Sequence, residues 1–174
     1  MKLTIRPETV ADRKAIFELN SLVFGQEGES RLIDELRGTE WFIPELSIVA
    51  FAGEHLVGHI LLTRLPLLGD DGKTYESLAL APMAVTTALH GLGIGGQMVR
   101  HALGEARALG FGSVVVLGHA EYYPRFGFVP ASKFGVRTAY DVPDDIFMAQ
   151  ELTPGALAGK AGQVSYPEPF EAVS

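Results

Sequence analysis

Val85-Thr86-Thr87-Ala88-Leu89-His90-Gly91-Leu92-Gly93-Ile94-Gly95-Gly96 places four glycines within six residues, between an apolar run and an amphipathic one. Residues 75–85 ahead of the loop read as a long, largely apolar strand. Pro82 inside that strand cannot donate to a ladder, so a bulge or a local splaying of the sheet is expected there. After the loop, Ile94, Met98, Ala102, Leu103 and Ala106 recur at helical spacing to about residue 109, and Gly110 stops the helix. Ser113–Leu117 is short and β-branched, as suits a strand buried on both faces in a parallel pair. Strand, glycine loop, helix and strand therefore form one parallel crossover.

Glycines crowded at such a junction let several backbone N–H groups approach one anion, and the helix N-terminus adds about half a positive charge. The fitting ligand is a phosphate. Three or four amide hydrogen bonds to a charged group, at about 1.5–3 kcal/mol each, hold a pyrophosphate even in a chain of net charge −7. Gly91-x-Gly93-x-x-Gly96 also satisfies the dinucleotide fingerprint literally. A nicotinamide-dependent oxidoreductase would add an acidic residue closing the second strand and further strand–helix units. Here that strand ends in Leu117-Gly118-His119, and too little chain follows. No Gly-Lys-Ser/Thr follows the loop, which removes a Walker site. A purely structural turn would need one glycine rather than four.

Farther out, residues 3–6 alternate and stop at Pro7 as a first strand. Thr9-Val10-Ala11-Asp12 reads as a capping box ahead of Ile16, Leu19, Val23 and Phe24 at helical spacing. A Gly- and Glu-rich segment, 25–29, leads to a second helix through Leu32, Ile33 and Leu36 that ends at Gly38. Residues 47–52 and 56–65 flank a Gly53-Glu54 turn as an antiparallel hairpin, and 69–73 is a further turn. Beyond the crossover, 121–126 is expected as a short helix and 128–133 and 146–152 as strands. From Thr153 the chain reads as irregular or draped over the surface. The order is that of an α+β, mixed α/β single domain over 1–152, with 153–174 packed on it as a C-terminal tail.

The 174 residues and 18.7 kDa suit one core, and 47% hydrophobic residues suffice to fold it. Absence of cysteine removes disulfides, thiol nucleophiles and thiolate zinc sites. The excess of 21 acidic over 14 basic residues opposes non-specific binding to nucleic acid or anionic membrane. His55, His59, His90, His101 and His119 form no metal-ligand spacing, so no metal is expected; His55 and His59 read as ordinary sheet residues. Apolar runs fall short of the ~18–20 residues of a membrane span, and residues 1–6 lack a secretion signal, so a cytoplasmic protein is expected.

With these motifs the sequence resembles the GNAT superfamily of N-acetyltransferases. The family's Gln/Arg-x-x-Gly-x-Gly/Ala signature reads His90-Gly91-Leu92-Gly93-Ile94-Gly95, and its preceding Val-x-Pro reads Val85-Thr86-Thr87. A second block, a tyrosine four residues before Gly-Phe, appears in Tyr123-Pro124-Arg125-Phe126-Gly127-Phe128. The segment 117–128 looks closest to a bacterial subgroup with Tyr-Tyr-x-Arg-Phe-Gly-Phe. His90 stands where Gln or Arg is usual and Thr87 where Pro is usual, in a loop that works mainly through backbone amides. The resemblance implies a mixed sheet of about seven strands and about four helices, splayed between the fourth and fifth strands. Acetyl-CoA is the implied co-substrate, lying in that opening. Backbone groups of Met83, Ala84 and Val85 would pair with its pantetheine arm and polarise the thioester carbonyl. His90, Gly91, Leu92, Gly93, Ile94, Gly95 and Gly96 would hold the pyrophosphate, and Gly118 would form the opposite wall.

Attack of an amine on a thioester requires a neutral nucleophile, a stabilised oxyanion and a proton for the departing thiolate. Tyr123 is the candidate proton donor, since a phenol near pKa ~10 stays protonated at neutral pH; a packing role is the alternative, and is the reading for Tyr122. Glu27, Glu29, Glu76 and His119 are candidate bases, none singled out. Arg125 either pairs with phosphate or ribose of the cofactor or anchors its segment by a salt bridge. Without cysteine no acetyl-thioenzyme forms, so the expected reaction is direct transfer to a primary amine in a ternary complex. Acidic residues around 25–29 suit a cationic acceptor such as a polyamine, an aminoglycoside-like compound or a lysine side chain. A non-catalytic acyl-CoA-binding sensor on the same fold is the alternative function. A homodimer through the last strands or the tail is also expected from the resemblance.

Overall fold

The computed structural model describes residues 2–173. Strand β1 (Leu3–Pro7) leads through a 3-10 turn into α1 (Arg13–Phe24), then α2 (Gly28–Arg37). The capping box at this entry forms: the Thr9 amide donates to Asp12 at 2.7 Å, and Arg6 pairs with the same carboxylate at 2.7 Å. Strands β2 (Phe42–Ala52), β3 (His55–Gly69) and β4 (Thr74–Val85) build an antiparallel meander. Helix α3 (Ile94–Ala108) crosses over to β5 (Ser113–Leu117), parallel to β4. The short strands β6 (Val129–Pro130) and β7 (Val136–Arg137), then β8 (Phe147–Glu151) and β9 (Gly162–Val164), complete a nine-stranded sheet.

Alternation along β2 and β3 decides which helix covers which face. Ile48, Ala50, Ile60 and Leu62 pack with Met98, Val99, Ala102 and Ala106 of α3. Val49 and Leu61, one residue out of phase, pack with Ile16, Leu32, Ile33 and Leu36 of α1 and α2 on the other face. That second face also buries His59, whose Nε2 lies 2.9 Å from Ser47 Oγ. Ser47 donates to Glu8, and Glu8 pairs with Arg37 at 3.0 Å. His59 has no exposed surface, so this row is part of the core rather than of any cleft. Burial, helped by the nearby Arg37, pushes its pKa down to about 3.

The irregularity expected near Pro82 is present. Ile60 pairs with Met83 and Leu62 with Leu80, so Ala81 and Pro82 together oppose one residue of β3. Strands β4 and β5 meet only at Ala79 and Val115, above a buried Ser77–Ser113 hydroxyl contact of 2.7 Å, and then diverge.

Several expectations are corrected downstream. The expected helix over 121–126 is a 3-10 turn at Tyr123–Phe126, with Pro124 inside it and Gly127 at φ 99° ending it. The strand expected over 128–133 shrinks to β6, because 131–134 coils into another 3-10 turn. The tail is not irregular throughout: β9 pairs with the end of β3 at Leu67–Gly69, covering an edge that β2 has left. It also pairs with β7, and both short strands went unforeseen. Helix α3 begins at Ile94 rather than Gly91, since Gly91 and Gly93 adopt φ 86° and 78° and remain in the loop.

Candidate active site

The divergence of β4 and β5 opens a cleft of about 940 Å3. Its floor is β4 from Leu80 to Met83 with Val85, its far wall is Leu117, Gly118 and His119 after β5, and its roof is the glycine loop and the start of α3. Because β5 accompanies β4 no farther than Ala79, the β5-facing edge of residues 80–85 has no strand partner. An extended ligand that can hydrogen-bond fits there as a strand would.

The glycine loop delivers backbone to this space. Gly91, Gly93, Gly95 and Gly96 all line the cleft. At Gly95 a Cβ would lie 2.8 Å from the Tyr122 hydroxyl, and at Gly96 3.2 Å from an Arg100 guanidinium nitrogen. The first-turn amides of a 15-residue helix thus face a narrow slot that only glycine keeps open. The side chains around it are cationic. Arg100 and Arg125 line the cleft, lie over the rings of Phe126 at 5.0 Å and Tyr122 at 5.7 Å, and enter no ion pair among the described residues. Arg125 therefore lacks the salt-bridge anchor that was its alternative role.

His90 turns back to Val85, with Nε2 2.8 Å from the Val85 carbonyl. A carbonyl only accepts, so this ring nitrogen carries a proton. Tyr123 is 7% exposed, with its ring edge-on to Tyr122 and Phe128 at centroid separations of 5.1 and 5.7 Å. Its hydroxyl has no hydrogen-bond partner among the described residues, and burial, then the neighbouring Tyr122, push its pKa up to about 12. Tyr123 is thus a neutral donor at the cleft wall with its proton unengaged.

Met83, Val85, His90, Gly91, Gly93, Ile94, Gly95, Gly96, Gly118, Tyr123 and Arg125 are brought together here. Ala84 is buried against β3 and Leu92 is exposed on the outside of the loop; neither lines the cleft. Of the candidate bases, Glu29 and His119 line it. Glu76 does not: it sits at the opposite end of β4, 3.7 Å from Arg64, beside a separate pocket. Glu27 is exposed and paired with Arg31 at 2.6 Å. Sequence reasoning missed Arg100, which lies one turn after Gly96 and reaches back towards the helix start as helical side chains do. It also missed Phe170 and Val173 of the tail, which line the cleft beside α1 and α2.

The sequence model of the Acetyltransferase (GNAT) family matches residues 13–128, two thirds of the chain and both blocks of the cleft. The chain belongs to the GNAT acetyltransferase family. Among GNAT relatives, the uncharacterised N-acetyltransferase YjhQ of Escherichia coli K12 is 37% identical over 155 residues, covering 86% of this chain and 85% of the relative. The E. coli YhbS N-acetyltransferase, also uncharacterised, is 30% identical over 169 residues, covering 97% and 98%. A crystal structure of YhbS in complex with CoA superposes with a TM-score of 0.90 at 28% identity, over 98% of this chain and 93% of that one. A GNAT acetyltransferase of Brucella melitensis in complex with acetyl-CoA gives 0.78 at 26% identity, over 97% and 98%. This chain has the GNAT fold, and no helix among its described residues is long and apolar enough to cross a membrane.

Proposed function

We propose that this protein is an acetyl-CoA-dependent N-acetyltransferase that transfers the acetyl group directly to a primary amine within one ternary complex. The observation that carries this reading is an unpartnered β4 edge leading to a glycine-lined helix N-terminus with two unpaired arginines. The edge suits an amide-bearing arm and the helix end suits a pyrophosphate, in one continuous cleft. The CoA and acetyl-CoA complexes of the two GNAT structures above support the same donor.

In this reading the amides of Gly91, Gly93, Ile94, Gly95 and Gly96, with Arg100 and Arg125, bind the diphosphate. The backbone of Met83 and Val85 orients the arm and its carbonyl, and His90 fixes the Val85 carbonyl at the strand end. A nitrogen–carbon bond to the acceptor forms as the carbon–sulfur bond breaks, and sulfur departs with the electron pair. Tyr123 donates a hydrogen bond to that sulfur and then its proton. A phenol held at about 12 is a weak acid towards a thiolate near 8.5 in water. The same dry wall also desolvates the thiolate and raises its basicity, which narrows the gap. We place the chain with the bacterial Tyr-Tyr-x-Arg-Phe-Gly-Phe proteins, and expect a cytoplasmic homodimer, whose size sedimentation of the purified chain reads directly.

Calorimetric titration with acetyl-CoA, CoA and NAD tests the reading. Saturable binding of acetyl-CoA and CoA without NAD is the expected result. Absence of acetyl-CoA binding would overturn it.

A further inference from the structure

The cleft is polarised along its length. Both lining guanidiniums, Arg100 and Arg125, stand by the glycine loop. At the other end, under α1 and α2, the lining is Val23, Phe24, Leu32, Phe170 and Val173 around a single carboxylate, Glu29. Glu29 sits in the first turn of α2 and accepts from Gln26 Nε2 at 3.1 and 3.4 Å. It has no cationic partner among the described residues, whereas its neighbour Glu27 is committed to Arg31. The apolar wall is built by the tail: Phe170 is buried against α2, and Val173 lies 3.2 Å from where a Cβ on Gly28 would be.

From this geometry we infer that the acetyl acceptor is a primary amine on a compact apolar body, its ammonium held by Glu29 and its body by Phe24, Leu32, Phe170 and Val173. The inference rests on the acetyltransferase reading above and adds the substrate class. One carboxylate balances one positive charge. A polyamine would leave its further ammonium groups against apolar side chains, which is costly without partners. Of the cationic acceptors that the acidic residues around 25–29 suggest, this favours one that presents a single ammonium over a polyamine, because the charge that matters is local. The bound ammonium loses one proton to solvent before attack. The nitrogen–carbon bond then forms, the thioester carbon–sulfur bond breaks with sulfur keeping the electron pair, the nitrogen gives its second proton to solvent, and the thiolate takes one from Tyr123, which solvent restores. Each turnover converts ammonium and thioester into amide, thiol and one released proton.

The test follows thiol release from acetyl-CoA by the full chain with phenethylamine, isopentylamine, putrescine and spermidine, alongside acetyl-CoA calorimetry. We expect kcat/KM for the two apolar monoamines to exceed that for spermidine by tenfold or more. Loss of a charge-assisted hydrogen bond corresponds to about 10- to 100-fold in affinity, so Glu29→Gln should raise amine KM by that factor and leave the KM of acetyl-CoA unchanged. Phe24→Ala, at a half-exposed position that does not threaten folding, should raise KM for phenethylamine more than for putrescine. Preference for spermidine, an unchanged amine KM in Glu29→Gln, or acetyl-CoA binding with no turnover of either apolar amine would overturn this inference and leave the donor assignment standing. Failure to bind acetyl-CoA would instead overturn the acetyltransferase reading itself.

Discussion

Gly118→Ala tests whether Tyr123 acts through its position. A methyl group there would sit 2.4 Å from Tyr123 Cε2 and 3.0 Å from Cδ2. Carbon atoms pack at about 3.5–4.0 Å, so the ring must retreat by about 1 Å. It has little room, being 7% exposed and wedged edge-on against Tyr122 and Phe128. Forced repacking of this kind costs about 1–3 kcal/mol of stability. Gly118 does not adopt a positive φ, so no backbone strain adds to that cost. For a proton donor, a displacement near 1 Å costs about 100-fold in rate. Thiol-release kinetics and urea unfolding on the same preparation read both effects. Tyr123→Phe keeps the ring and removes the proton, and should lower kcat about 100-fold with little change in acetyl-CoA affinity. The double variant should fall no further than the worse single one, since both remove the same interaction. If Gly118→Ala loses the expected stability yet keeps wild-type kcat, or if Tyr123→Phe turns over normally, Tyr123 is a packing residue and the sulfur departs without it.

Arg100→Ala and Arg125→Ala should each weaken CoA binding by about tenfold and reduce its salt dependence, read by calorimetry at two ionic strengths; unchanged affinity would remove the guanidiniums from the diphosphate site. His90→Ala should raise the KM of acetyl-CoA several-fold by freeing the Val85 carbonyl, while His90→Gln, which keeps a donor, should retain most of the affinity. The third concerns acid stability. His59 is held at about 3 in the fold and returns to about 6.5 when unfolded, so below pH 6.5 the unfolded chain takes up a proton that the folded chain refuses. The stability this neutral ring contributes is fully present above pH 6.5 and is lost as pH falls towards 3, by about 2 kcal/mol between pH 7 and pH 5. Urea unfolding at those two pH values should show this limb in the wild type and not in His59→Gln; an equal slope in both would refute it.

Where the determinants are contiguous, the sequence is readable. The crossover from β4 to β5 is announced by Pro82, the glycine loop, the α3 periodicity and Gly110, all within one stretch. The capping box at Thr9 and Asp12 is likewise local. The parts that escaped are those whose cause lies far along the chain. β9 is three residues long and exists because the end of β3 outruns β2; a Cβ at Gly162 would lie 2.2 Å from the Leu68 carbonyl, a proximity no local pattern contains. Glu76 and Glu29 look equally plausible as bases in sequence, and only the strand's length and direction carry Glu76 to the wrong end of the sheet. The helix expected over 121–126 is cut to a 3-10 turn at 123–126, where Pro124 and Gly127 set the backbone over a segment too short for periodicity to decide.

The same distinction divides the cleft into two kinds of half. Backbone and glycines supply much of the proposed donor half, so His90 and Thr87 in place of the family's usual residues are expected to alter it little. Side chains of α1 and α2, neighbours in sequence, and of the last 3-10 turn, far along the chain, build the proposed acceptor half. Guanidinium by the loop and carboxylate under α2 line the same cleft, so in the proposed reaction the anionic donor and the cationic acceptor would each meet a side chain of opposite charge. Neither end needs the protein's net charge. On the proposed reading, a change in the tail at Phe170 or Val173 should therefore alter acceptor choice and leave donor affinity unchanged, so that the two halves would vary separately on one sheet.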